Sequence, residues 1–296
     1  MFVNFLKYKK IYFTFSVILT LGSIVCLFVF GLNPGIDFTG GSILEVNFEV
    51  RPDNLAIQEK IKDLNLGEVI IQPTGEKGVI LRIQEVDENT HQEIVSKLNE
   101  ISSVTERRFE SIGPTIGREL RQKTIILIIV SLIALLFYIA IAFQKVSRPV
   151  SSWQYGIISI IALFFDVLIP VGVFSILGKF YNTQFSIPIV AALLTILGYT
   201  INDKVIVFDR IRENLFKSHQ ENFEELVNKS LNQVLLRSLS TGTCTLLVLF
   251  AIFFLGGETL KYFALTLIIG IVVGTYSSLF LASPMLVGWL AWRRQG

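Results

Sequence analysis

A chain of 296 residues in which 52% are hydrophobic and 17% charged, with a mean hydropathy of +0.60, departs from an ordinary soluble domain, which is about 25% charged. That deficit, together with 24 phenylalanines, excludes a disordered chain and argues against a soluble enzyme. A net charge of +2 is too small to point to nucleic acid, while two widely spaced histidines and two cysteines in apolar runs offer no metal site and no disulfide framework.

The first uncharged run, Ile11 to Ile36, follows Lys7, Lys9 and Lys10. It is long enough to span and leads into Asn33-Pro34-Gly35 rather than a small-residue cleavage site, so it reads as an uncleaved signal anchor. Ser42–Phe48 alternates as a strand, with Leu44, Val46 and Phe48 on one face. Asp53–Leu64 carries Ile57, Ile61 and Leu64 at helical spacing behind Asp53 as a candidate cap. Strands are expected at Glu68–Ile71 and Val79–Ile83 around a Pro73-Thr74-Gly75 turn, then a helix over Thr90–Leu98 and a last strand over Val104–Phe109. The order β-α-β-β-α-β predicts a small ferredoxin-like α+β domain. Its 11 Lys/Arg against 16 Asp/Glu over Gly31–Lys123 mark a solvated, mildly acidic surface.

Five further apolar stretches follow, and the expected spans are near 11–31, 124–144, 152–177, 187–208, 234–256 and 262–290. The positive-inside rule puts Lys7, Lys9, Lys10, Lys145, Arg148, Arg210, Arg212, Lys217, Lys229, Arg293 and Arg294 on the cytoplasmic side, leaving Lys179 and Lys261 in the short outer loops. Both termini are then inside. Residues 1–31 form the N-terminus and first span, 32–123 the external (periplasmic) domain, and 124–296 spans two to six with an inner loop at 209–233. Between the fourth and fifth spans, Asp209–Arg237 reads either as an amphipathic helix at the inner surface or as a solvated connecting helix.

Ionisable groups within spans are costly and mark candidate sites. They are Asp166 in the third span, Asp203 in the fourth and Arg237 at the start of the fifth. Counted from the expected ends of their helices, Asp203 and Arg237 lie about 5–8 Å inside the inner boundary and are expected to face each other. Burial and a facing arginine pull the protonation of Asp203 in opposite senses, which suits a carboxyl that gains and loses a proton. Arg237 stays charged, so its role would be to bind the carboxylate in one of two states. Tyr199, Asn202 and Thr241 are candidate linings of a hydrated path. A fixed Asp203–Arg237 pair that only orients two helices is the alternative. Asp166 has no obvious partner, and Lys204, rotated about 100° from Asp203, is expected to snorkel to the inner surface without chemistry. The glycines of Asp37-Phe38-Thr39-Gly40-Gly41 permit a sharp turn into the first strand, for domain placement or as a hinge.

Gly31-Leu32-Asn33-Pro34-Gly35-Ile36-Asp37-Phe38-Thr39-Gly40-Gly41, Ser111-Ile112-Gly113-Pro114-Thr115-Ile116-Gly117, and Gly198-Tyr199-Thr200-Ile201-Asn202-Asp203 through Val207-Phe208-Asp209-Arg210-Ile211-Arg212-Glu213-Asn214 resemble, in order, the signatures of SecF members of the SecD/SecF family. The resemblance implies half of an RND-type transporter: an α-helical six-span bundle with an inserted ferredoxin-like external domain. It implies a non-enzymatic subunit of the bacterial inner (plasma) membrane, partnered by SecD, the SecYEG channel and SecA. That subunit would use an ion (proton) gradient to help exported unfolded proteins through late translocation, with no cofactor. The family's relay aspartate carries over to Asp203, its helix-five arginine to Arg237, and the aspartate of a His-Asp pair to Asp166. Phe165 stands in place of that histidine, and Lys204 in place of a small polar residue. The competing classes are a scaffold subunit without conduction and an RND-type exporter of small molecules or lipids.

Overall fold

The protein is described by a computed structural model covering residues 3–142, 152–217 and 222–295. Lys145, Arg148 and His219 lie outside these. In chain order the elements are α1 (Lys9–Phe30), α2 (Ile36–Thr39), β1 (Gly41–Phe48), α3 (Asn54–Ile61), β2 (Ile70–Thr74), β3 (Gly78–Ile83), α4 (Glu88–Asn99) and β4 (Val104–Ile112). Then come α5 (Pro114–Ala142), α6 (Ser152–Tyr181), α7 (Ile187–Lys217), α8 (Phe223–Leu255), α9 (Glu258–Tyr276), a π-helical stretch over Ser277–Ala282, and α10 (Ser283–Gln295). Among the described residues six helical runs are long and apolar enough to cross a membrane: α1, α5, α6, α7, α8, and α9 through α10.

The chain divides into two compact units, one of Met1–Leu32, Leu127–Thr183 and Pro188–Gly296, the other of Asn33–Ile126 with Gln184–Ile187. In the helical unit, α6, α7 and the α9–α10 run are 61%, 56% and 61% buried over their most apolar stretch, against 6%, 6% and 17% for α1, α5 and α8. All are apolar around most of their circumference, so sequence alone does not separate inner from outer helices. The core between them holds Tyr155, Ile158, Ala162, Ile201, Phe208, Leu279 and Leu286.

The segment between the fourth and fifth spans is neither a surface-lying amphipathic helix nor a separate connector. Residues 209–217 prolong α7 and residues 223–237 open α8, behind Asn222, whose side chain accepts from the Glu224 amide. The apolar residues interleaved with charge are a packed face. Phe208 and Ile211 are fully buried with Leu226, Val227 and Leu231, while Phe216 is exposed. Asn214 Nδ2 donates to Ser230 Oγ at 2.7 Å and to Gln233 Oε1 at 2.9 Å, fixing the register of the two extensions. On the solvated side, Glu213 pairs with Arg210 and Lys217 at helical spacing. The first residues are stitched to α8 as well. Asn232 bonds both the amide and the carbonyl of Val3, Asn228 accepts from the Phe5 amide, and Lys9 pairs with Glu224.

The second unit carries a four-stranded antiparallel sheet in the order β2-β3-β1-β4, the order of the expected ferredoxin-like sandwich. Leu44, Val46 and Phe48 of β1 face one core with Val79, Leu81, Ile57, Ile61, Ile94 and Leu98. The expected second-strand boundary shifts, from Glu68–Ile71 to Ile70–Thr74. Strand β2 runs through Pro73, which an edge strand tolerates because it spends no ladder amide there, and the turn falls on Gly75 at φ +57°. Asp87 caps α4, accepting from the Thr90 hydroxyl at 2.6 Å and the Thr90 amide at 3.0 Å, which hold its carboxyl below the ordinary value. A depressed carboxyl stabilises the fold above its unfolded value and loses that contribution as pH falls through the folded one. Asp87→Ala is therefore expected to loosen the first turn of α4 at neutral pH and to make no difference in strong acid, as read by amide hydrogen exchange of that turn.

Candidate functional site

The buried ionisable residues of the spans, Asp166, Asp203 and Lys204, lie on α6 and α7, and Arg237 lies on α8. Ile196, Thr200 and Lys204 are spaced four apart and form one stripe of α7. That stripe meets the glycines of Gly270-Ile271-Val272-Val273-Gly274 on α9. A Cβ at Gly270 would overlap Ile196, and one at Gly274 would overlap the Thr200 methyl and stand 2.9 Å from Thr200 Cβ. Small residues at this spacing let helices approach closely in a membrane. The same hypothetical Cβ lies 3.7 Å from Asp166 Oδ2, so the Asp166 and Thr200 side chains converge at Gly274.

Lys204 does not snorkel. It is fully buried, and its Nζ donates to Asp166 Oδ2 at 2.5 Å, with the Thr200 carbonyl at 3.5 Å. Its ammonium is held in that pair inside the bundle rather than extended along α7 toward the charged residues that begin at Asp209. Asp166, fully buried on α6, thus has the partner that its sequence context does not reveal. The signal lay in the helix period: the stripe through Lys204 faces two glycines, a position for close packing rather than for reaching water.

Asp203 is 4% exposed, and its Oδ2 finds no hydrogen-bond partner. Arg237 is exposed, and among the described residues no ion pair joins it to Asp203. The buried stripe of α8 passes through Val234 and Ser238, and one residue's turn of about 100° sets Arg237 beside that stripe rather than on it. Asp203 is fourteen residues before the end of α7 and Arg237 fourteen after the start of α8. Of the other candidates, Tyr199 is half-buried with an unpartnered hydroxyl, and Asn202 is exposed. Thr241 is exposed, with its hydroxyl donating to the Arg237 carbonyl on its own helix. Ser159 Oγ, Thr200 Oγ1, Ser238 Oγ and Asp166 Oδ1 are further buried oxygens without a hydrogen-bond partner. Polar atoms of this kind are where a membrane bundle holds internal water or a mobile ion.

In the second unit, the glycine-rich signature is a clamp. Gly40 (φ +78°) and Gly41 (φ +130°) hold conformations closed to other residues, and a Cβ on Gly40 would stand 2.8 Å from Pro114 Cα. Asp37 Oδ2 accepts from the Ile187 amide at 2.9 Å, at the first residue of α7. Backbone bonds tie Gly35 and Asn33 to Phe185, and Phe38 is half-buried.

The comparisons cover both this clamp and the helical unit. A model of the SecD/SecF GG motif matches residues 27–50, and one of the C-terminal region of the protein export membrane proteins SecD/SecF matches residues 91–292. The chain belongs to the SecD/SecF family. It is 38% identical to a protein translocase subunit SecF of Thermobaculum terrenum, over 97% of this chain and 94% of the relative. It is 35% identical to one of Rickettsia rickettsii, over 96% and 90%. Among solved structures, SecDF of Thermus thermophilus superposes with a TM-score of 0.86 at 33% identity over 98% of this chain, and a second SecDF form with a TM-score of 0.71. The chain spans 39% of the length of the first of those structures. The six-span bundle with an inserted sheet domain is therefore the SecD/SecF arrangement, and the chain is a multi-pass membrane protein.

Proposed function

We propose that this chain acts as the SecF-type subunit of a bacterial protein-export translocase in the inner membrane, pairing with SecD and drawing on an ion gradient. Within that reading Asp203 takes up and releases the ion, and Arg237 is the charge that engages it in the alternate state. The supporting observation is the Asp203 carboxyl, buried in the fourth span with an unpartnered oxygen, beside a second buried carboxyl that is already neutralised by Lys204. An ionisable group kept in a span at such cost points to an ion path. The largely unburied apolar faces of α1, α5 and α8 suit lipid and the helices of a partner such as SecD. SecYEG and SecA are the proposed neighbours, with both termini on the cytoplasmic side.

The test is gradient-dependent export in energised vesicles depleted of the native protein and refilled, with SecD present. Wild type is expected to restore the gradient-dependent part, and Asp203→Asn to lose all of it while assembling normally. A charge crossing 100 mV carries about 2.3 kcal/mol, enough to bias a two-state element. Equal restoration by both proteins would make the subunit a scaffold. That second reading draws on the Lys204–Asp166 pair, which by itself is a fixed tie between two helices.

A further inference from the structure

Four oxygens of carboxylate, hydroxyl and carbonyl type come from Asp166 and Thr200 where α6, α7 and α9 converge. Asp166 has one oxygen on Lys204 and one without a partner, Thr200 contributes its carbonyl at 3.5 Å from Lys204 Nζ, and Thr200 Oγ1 is buried without a partner. Carboxylate, backbone carbonyl and hydroxyl are the ligand types that hold hard cations, and in membrane bundles such sets bind a coupling cation. Here the position between Asp166 and Thr200 is filled by a covalently attached ammonium, itself fully buried. From α9 the facing residue is Gly274, which brings no polar side chain. The remaining charged group of α7 within the bundle is Asp203, one residue away.

We propose that Lys204 is a tethered cation occupying the cation position beside Asp166, and that it is the residue that keeps sodium out of this bundle. A free cation would have to displace an ammonium that cannot diffuse away, or sit beside it in a medium that screens charge poorly. A proton needs neither vacancy nor coordination shell, so the remaining carboxyl, Asp203, answers to protons. The inference rests on the ion-coupled reading above and supplies the identity of the ion.

The test reads sodium directly, apart from export. Thermal unfolding of the full-length protein in detergent is followed in sodium chloride and in choline chloride of equal strength. Wild type is expected to melt at the same temperature in both. Lys204→Ser, which empties the position, is expected to melt a few degrees higher in sodium chloride, as a ligand that binds only the folded state requires. Asp166→Asn combined with Lys204→Ser is expected to lose that response. Sodium-specific stabilisation of wild type, or indifference of a folded Lys204→Ser, would overturn the proposal. If Lys204→Ser does not fold in either salt, vesicle export by wild type decides. Drive by a pH gradient in sodium-free medium supports the proposal, and drive by a sodium gradient in the presence of a protonophore overturns it. Export that answers to neither gradient sinks the ion-coupled reading instead, and leaves the melting results to stand as a statement about cation binding alone.

Discussion

Lys204→Met is expected to destabilise the full-length protein in sodium-free detergent solution by about 3–5 kcal/mol, the range seen when one partner of a buried ion pair is removed and the other stays charged in the interior. The pair joins α6 to α7 with both side chains fully buried, so the Asp166 carboxylate would be left without a countercharge and with one hydrogen bond fewer. The double replacement Lys204→Met with Asp166→Leu is expected to recover most of the loss, since two apolar residues in place of a buried pair are often neutral or better. Denaturant or thermal melts of the three proteins check this. A single variant that melts with wild type would mean that the ammonium contributes nothing to the bundle.

Gly274→Ala is the second change with a large expected effect. The added methyl coincides with the Thr200 methyl, so α7 and α9 must separate or Thr200 must leave its rotamer, at a cost of about 1–3 kcal/mol. The hardest contact is with the Thr200 methyl, while the 2.9 Å approach to Thr200 Cβ stays in serine, so Thr200→Ser is expected to relieve part of the clash and the double variant to melt between Gly274→Ala and wild type. Gly274→Ala acts on the wall of the charged cluster as well. Separating α7 from α9 admits lipid or water beside Asp166, and gradient-dependent export should fall together with stability. Measuring both in the double variant separates the two causes, since partial relief of the clash restores both in part if packing alone is at issue.

Much of this architecture was legible along the chain. The six apolar runs, the strand order and the glycine signature follow from length, alternation and backbone constraint, which are properties of contiguous residues. The misread features depend on what stands opposite. Residues 209–237 carry charge at a period that suits a surface helix, and only the facing Leu226, Val227 and Leu231 reveal Phe208 and Ile211 as an interior seam. Lys204 likewise reads as a snorkelling residue until its stripe is seen to meet Gly270 and Gly274 and its ammonium to rest on Asp166. For Asp203 and Arg237 a count of residues along two helices does not fix rotation, and Arg237 stands off the buried stripe of its helix.

The stitching of the first residues to α8 bears on how the chain is made. Val3 and Phe5 find their side-chain partners at Asn232 and Asn228, more than two hundred residues later. In synthesis these two residues precede their partners by that distance, so their amides wait for α8. Closing so long a loop gives those contacts a high entropic cost and places them late in assembly. Residues 3–5 thus act as a late clasp on α8: until Asn228 and Asn232 are made and inserted, these two amides lack the partners that the fold gives them.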